Sequence, residues 1–236
     1  MTRPRPAPSS PAPTSPAPSS DVAFSDAVKA EQERRGTRAA MARLEAAGGF
    51  RTGTEGLRGV LAETRSLVLA TASADGQPYV QHRGGPPGFV RVLDDARIGF
   101  ADLSGNGQVV TAGNLSENPR VQILAIDYMR RRRVKIWGEA RMTRNAALLR
   151  ALAPDDPTAE WAFEMRVTAW DLNCPQHIPQ RFEAEDVAAA VAEREARIST
   201  LEAEVARLEA EARVAAGDAR VAAGRSWSTE GCGDDG

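Results

Sequence analysis

No stretch of the 236-residue chain approaches the roughly 20 consecutive apolar residues that a membrane-spanning helix needs. The first 20 residues hold seven prolines, five serines and no strong apolar group. They lack the apolar core of about 7–15 residues that marks a secretory signal, and they cannot bury enough surface to offset the entropy of ordering. A disordered, partly polyproline arm is expected there. Cysteine is nearly absent: Cys174 and Cys232 are the only two, in no disulfide spacing. With His82 and His177 the only histidines, no dedicated Cys/His metal centre is expected. The net charge of −2 gives no global attraction to nucleic acid or to an acidic lipid surface. There is no G-x-G-x-x-G and no alternation of strands with helices, which argues against a dinucleotide fold. A soluble, cytoplasmic protein is expected, with neither a nucleic-acid nor a membrane partner.

What is present falls into five regions. Residues 1–20 are the arm. Residues 21–56 are an N-terminal helical segment dense in Ala, Glu and Arg, broken at Gly48-Gly49. The helical composition runs on through Leu57, Val60 and Leu61 to about residue 66, inside a region 57–182 that otherwise reads as β. Residues 183–216 are a long charged helix, and residues 217–236 a polar tail.

Within the β region, Leu67 to Ala72 is apolar and meets an Asp75-Gly76 turn, a strong hairpin signal leading into Pro78 to His82. Arg97 to Ala101 is a short strand. Val121 to Asp127 is apolar on both faces and so central. Val134, Ile136, Gly138, Ala140 and Met142 alternate with Lys135, Trp137, Glu139 and Arg141, one face buried and one wet. Ala162 to Trp170 is a last strand with Met165, Val167 and Ala169 on one face. Two helices interrupt the set. Gln108 to Glu117 is stopped by Asn118-Pro119, and Ala146 to Leu152 by Pro154. Six mostly antiparallel strands on short connections favour a small barrel.

The charged helix carries a heptad. Val191, Ile198, Val205 and Ala212 share one position; Val187, Arg194, Leu201, Leu208 and Ala215 share the other. Val/Ile at the first with Leu at the second favours a parallel two-stranded coil. Glu193 with Arg197 and Glu209 with Arg213 are spaced as supporting i,i+4 pairs. A homodimer is expected; the competing reading is one helix folded back on its own domain.

Four segments could carry chemistry. Asp102 to Gly107, DLSGNG, combines glycines that admit close approach with Ser104 and Asn106 as donors, ahead of a helix whose positive end favours anions. An ordinary turn capping a helix has the same composition. Gln81, His82 and Arg83 end a strand, with Gln81 and His82 on opposite faces. Arg83 can take a phosphate bidentately, or form a surface ion pair worth little. Arg130 to Arg133 and Lys135 place five basic residues in six positions, which reads as a solvated hairpin tip unless one of them reaches a ligand phosphate. Without interleaved aromatics they do not read as a nucleic-acid patch. Trp170 to Arg181, WDLNCPQHIPQR, puts Cys174 three residues from His177, but no group to orient the histidine is evident, so a structural or ligand-lining role is favoured over thiol catalysis. Two anion-binding segments side by side on a β scaffold suggest a phosphate-bearing ligand.

The ordered segments SADGQPYVQHRGGPPGF, GFADLSGNGQ, GNLSENPRV, RRRVKIWGEAR and WDLNCPQHIPQRF resemble the FMN-binding split barrels related to pyridoxamine 5′-phosphate oxidase, over about residues 57–182. The resemblance implies a mainly β fold with flanking helices: a six-stranded antiparallel split β-barrel, here followed by a C-terminal coiled-coil helix. It implies a homodimer with two FMN molecules in grooves between subunits. Carried residue by residue, it assigns the cofactor to Gln81, His82 and Arg83; to Ala101, Asp102, Ser104, Gly105, Asn106 and Gln108 as the phosphate cradle; to Arg133 and Lys135; and to Trp170 and Arg181, which resemble a segment closing over the flavin ring. His177 and Arg181 are candidates on the substrate side. Asn106-Gly107 stands where the oxidase has basic residues, and its C-terminal Arg-Leu-x-Pro segment is missing. The implied activity is therefore a flavin-dependent oxidoreductase of an unknown small molecule. Two alternatives stand beside it: a split barrel for the deazaflavin F420, and a non-catalytic flavin-binding module assembled by its coiled coil.

Overall fold

The computed structural model describes residues 17–173 and 176–227. Most of the proline-rich arm, Cys174 and Cys232 lie outside the described residues. The chain divides into two compact units, residues 1–180 and residues 181–236. No helix among the described residues is long and apolar enough to cross a membrane.

The first unit is one antiparallel sheet with helices around it. Its strands are β1 (Ser66–Ala72), β2 (Pro78–Gly84), β3 (Arg91–Val92), β4 (Arg97–Leu103), β5 (Arg120–Asp127), β6 (Arg132–Thr143) and β7 (Ala159–Asn173), in the order β2-β1-β5-β6-β7-β4-β3. The expected split-barrel arrangement is present with one correction. There are seven strands rather than six, and the sheet stays open. The addition is β3, a two-residue strand whose Arg91 and Val92 pair with Gly99 and Ile98. Two residues are too short to leave a periodic signal. As expected from its apolar faces, β5 is central, between β1 and β6.

Period two sorts each strand into an inner and an outer face. The inner row Leu67, Leu69, Ile123, Val134, Ile136, Met165 and Phe163 is at most 1% exposed. Phe100 of β4 stacks on Phe163 of β7 at 4.5 Å between ring centroids. The β1–β2 turn closes as its Asp-Gly pair demands, with Gly76 at φ 91 and Ser73 N–H donating to the Gln77 carbonyl at 3.1 Å. One expectation fails at a bulge. Trp137 sits opposite Ala169 but Gly138 opposite Val167, so Thr168 is an extra residue. Ala169 therefore turns away from the face of Met165 and Val167, and Trp170 returns to it.

The helices are α1 (Asp26–Arg34), α2 (Arg38–Ala46), α3 (Arg58–Ala62), α4 (Val110–Glu117), α5 (Ala146–Leu152) and α6 (Ala184–Trp227). The helical composition of residues 21–66 thus resolves into three short helices, with Gly48 and Gly49 at φ 102 and 88 between the second and third. Phe50 follows this break and stacks flat on Trp137 of the outer face at 5.2 Å, which docks the N-terminal helices on the sheet. The second unit is α6, a 44-residue helix that runs past the expected end at residue 216. Among its described residues the i,i+4 pair formed is Arg207 with Glu211 at 2.7 Å, rather than the two pairs that spacing suggested.

On the outer face Glu164 is 6% exposed and held by Arg97 and Arg141. Burial pushes its carboxyl up, but the hydrogen bonds from Arg141 and Arg97 outweigh burial and hold it below the usual carboxylate range. A depressed carboxyl adds stability above its unfolded pKa and loses it as pH falls through the folded one. Acid unfolding of the protein should therefore set in below about pH 4. Glu164→Gln should cost about 1–3 kcal/mol at pH 7 and flatten that acid limb; urea midpoints at pH 7 and pH 3 check both. Phe163→Ala should cost about 3–5 kcal/mol at either pH.

Candidate functional site

The inner face of β2 carries Tyr79, Gln81 and Arg83, two residues apart and half-buried, while Val80 and His82 face outward. Tyr79 donates its hydroxyl to Gln81 Oε1 at 2.6 Å, which fixes the amide beside Arg83. Although β2 and β4 are far apart in strand order, Arg83 Nε lies 2.7 Å from Asp102 Oδ1. The sheet has curled until one edge strand faces the far end of β4, and this ion pair bridges the opening where hydrogen bonds stop. Both side chains are about one-fifth exposed.

The chain after Asp102 is a loop of unusual backbone. Ser104 N–H donates to the Thr158 carbonyl at 2.7 Å. Asn106 Oδ1 accepts from Gln108 N–H at 3.1 Å, Gly107 takes φ 74 and Val109 takes φ 45. A β-branched residue in the left-handed region is strained, and Val109 stands at the start of α4, whose first turn no side chain caps. A Cβ on Gly105 would meet nothing within 4 Å. From α4, buried Thr111 accepts from Arg83 Nη2 at 3.4 Å, and Asn114 Nδ2 donates to Thr71 Oγ1 at 2.9 Å. Arg83, Thr111 and the uncapped end of α4 thus converge at the open edge of the sheet, with Asp102 as the resident counterion.

Burial is the leading influence on Asp102 and pushes its carboxyl up, against the pull of Arg83; Glu160 adds a smaller upward push. A carboxyl raised by folding binds its proton more tightly when folded. Ionising it as pH rises through the carboxylate range therefore subtracts from stability. The Arg83–Asp102 contact is a poor stabiliser of the carboxylate and a ready place for another anion.

The remaining predicted residues lie elsewhere. His82 projects from the opposite face of β2 to Gln81 and Arg83, with Nε2 3.1 Å from Ser66 Oγ. It lies on one cross-sheet row with Val68, Leu124, Lys135 and Asp171. Three strand spacings separate His82 from Lys135, roughly 14 Å. Arg133 also faces outward, its Nε buried without a hydrogen-bond partner. The sheet therefore divides the predicted set: Gln81, Arg83 and Asp102 inside, His82, Arg133 and Lys135 outside. The side chain of Ala101 is also outside, opposite Ala162.

Trp170 lies near the end of β7. It is 3% exposed, donates Nε1–H to the Gly53 carbonyl at 3.0 Å, and packs under Arg51 at 5.0 Å, so its ring belongs to the core. His177 is exposed at φ 63 in a short segment pinned to the β5–β6 turn. There Arg131 Nε donates to the Ile178 carbonyl at 3.1 Å and Gln180 Nε2 to the Met129 carbonyl at 2.9 Å. Arg130 is paired with Glu63 and Asp127, and Arg132 with Asp127, so two of the five basic residues are neutralised at the hairpin tip. Arg181 belongs to the second unit.

Residues 54–174 match the family model described as pyridoxamine 5′-phosphate oxidase, just over half of the chain. The chain belongs to this family. No curated protein matches it. Among solved structures, HupZ of Group A Streptococcus is 18% identical, with 55% of this chain and 98% of that one covered and a TM-score of 0.42. A putative pyridoxamine 5′-phosphate oxidase from Lactobacillus delbrueckii is 16% identical over 51% of this chain and 99% of its own, at a TM-score of 0.39. A pyridoxamine 5′-phosphate oxidase-related, FMN-binding protein from Nostoc punctiforme is 16% identical over 46% and 73%, at 0.31.

Thr111 and the Arg83–Asp102 pair were not legible in the sequence, because they meet only when the sheet curls. Arg83→Gln should lower stability by about 1–3 kcal/mol by stranding Asp102, and adding Asp102→Asn should restore most of the loss. Urea melts of the two single variants and the double variant check this; strictly additive losses would show that the pair is not coupled.

Proposed function

We propose that the protein is an FMN-binding, flavin-dependent oxidoreductase of a small molecule, with the flavin phosphate taken where Arg83 meets the loop after β4 and the start of α4. Family membership supports the reading, and one observation carries it: a half-buried arginine, a threonine hydroxyl and an uncapped helix start converge beside a strained, glycine-containing loop. A guanidinium and a helix N-terminus are the two groups best suited to a phosphate monoester. Gly105 leaves the backbone open to a close approach. Asp102 gives up Arg83 to the incoming phosphate, which its raised carboxyl makes easy.

Bound FMN supplies a ring that takes up and returns hydride or electrons. The chain's own residues bind and orient. Gln81, held by Tyr79, offers its amide beside Arg83. Arg133 holds a buried Nε with no acceptor, as a donor awaiting a ligand would. Since Arg133 and Lys135 lie on the other face of the sheet, a groove between two copies is the arrangement in which both sets reach one ligand. His177 and Arg181 are the substrate-side candidates.

The test is the visible spectrum of freshly purified protein, with the mass of the released ligand and titration with FMN and riboflavin. A flavin spectrum with FMN released is expected; a deazaflavin mass would move the same cradle to F420. Against an Asp102→Asn background, which removes the resident carboxylate so that Arg83→Gln strands no charge, Arg83→Gln should weaken FMN binding about 10–150-fold, the loss of a charge-assisted contact of about 1.5–3 kcal/mol. Riboflavin, which lacks the phosphate, should change little. A colourless protein that takes up no added FMN overturns the reading.

A further inference from the structure

The apolar stripe of α6 is uncovered. Val187, Val191, Ile198, Leu201, Val205 and Leu208 are each 42–53% exposed. Counting Arg194, their spacings alternate four and three without a slip over three heptads. A seven-residue repeat of this length winds around a partner rather than lying on a straight helix's own surface. We infer that α6 forms a parallel, in-register two-stranded coiled coil with α6 of a second copy of this chain. The inference does not depend on which cofactor the first unit holds.

The residue types choose the form. Val191, Ile198 and Val205 are β-branched at one core position, and Leu201 and Leu208 fill the other, the combination that favours two parallel strands. The charges agree. In parallel register, Arg194 lies across the seam from the partner's Glu195, and Arg197 faces the partner's Glu202. None of Arg194, Glu195, Arg197 and Glu202 is paired within its own chain, whereas Arg207 is engaged by Glu211 and lies 3.9 Å from Glu204. Two like-charge contacts arise in this register: Arg194 with the partner's Arg194, each beside a Glu195 of the opposite helix, and Glu204 with the partner's Glu209, where Arg207 already offsets Glu204. An antiparallel pair would instead set the column Glu195, Glu202 and Glu209 against itself. Arg194 is a charged break in the apolar seam. It costs stability and favours the in-register form, because a slip of one heptad sets one of the two arginines against Val187 and Ala188 with no carboxylate.

The experiment uses the full chain with Cys174→Ser and Cys232→Ser, so that one introduced thiol reports. Under mild oxidation Leu208→Cys, at a core position, should cross-link to near completion, and Ala210→Cys, on the outward face, at least several-fold less. Arg197→Glu should reduce the Leu208→Cys yield several-fold at low salt, and Arg197→Glu with Glu202→Arg should restore it. Equal yields at Leu208→Cys and Ala210→Cys overturn the coil. A mixture in which Leu208→Cys links to Val191→Cys but not to itself overturns the parallel register. Dimerisation through the first unit alone would leave both cysteine yields low, which also overturns it.

Discussion

The β6 strand imposes the constraint on which the first unit depends. It pairs with β5 on one side and β7 on the other, and its residues 133–141 alternate between core and surface without a break. A slip of one position would send Val134, Ile136 and Ala140 out and Arg133, Lys135 and Trp137 in. The register is pinned at the bulge by Gly138, where any side chain would run into the Arg166 carbonyl. From that one register follow the stacked Phe100–Phe163 pair, the outward Trp137 that receives Phe50, and the curl that carries β2 round to the end of β4.

The curl also explains why the site has two sides. Strand alternation places Gln81 and Arg83 with the core and sends Lys135 and Arg133 outward, so residues that are close in sequence logic are parted by the thickness of a sheet. Across the open edge Arg83 reaches Asp102. Elsewhere in the unit, Glu164 lies buried under two arginines, Arg97 and Arg141. At the open edge the pairing is weaker, since burial raises the Asp102 carboxyl in spite of its partner.

Much of this was legible from residue order. The Asp75-Gly76 turn, the alternation through β6, the central place of β5 and the span of α5 were all read correctly, because each rests on a local rule: a turn residue, a period, a proline stop. What escaped was either too short or too distant. The two residues of β3 have no period, and the extra Thr168 in β7 reverses the facing of Ala169 without altering composition. Trp170 looked like a ligand-facing ring because aromatic and polar residues crowd around it in sequence; in space its partners are Gly53 and Arg51, more than a hundred positions earlier. The site was legible as two anion-binding segments, but not as a convergence of Arg83, Asp102 and Thr111. The long helix was legible as a heptad, but its continuation to Trp227 was not, since Ala- and Gly-rich composition there resembles a tail.

The strand order has a kinetic side. The pairs β1–β2, β3–β4, β5–β6 and β6–β7 join neighbours in sequence, whereas β1 finds β5 across β2, β3, β4 and α4, and β4 finds β7 across α4, β5, β6 and α5. Loop-closure entropy makes such a distant pairing the slow step. Until β4 has docked, Asp102 is nowhere near Arg83, so the contact that closes the open edge is a late event in assembly. By the same reasoning it is an early one in local opening, because β2 has a strand neighbour on one side only. A ligand seated on Arg83 would act as a clasp on the part of the sheet that forms last.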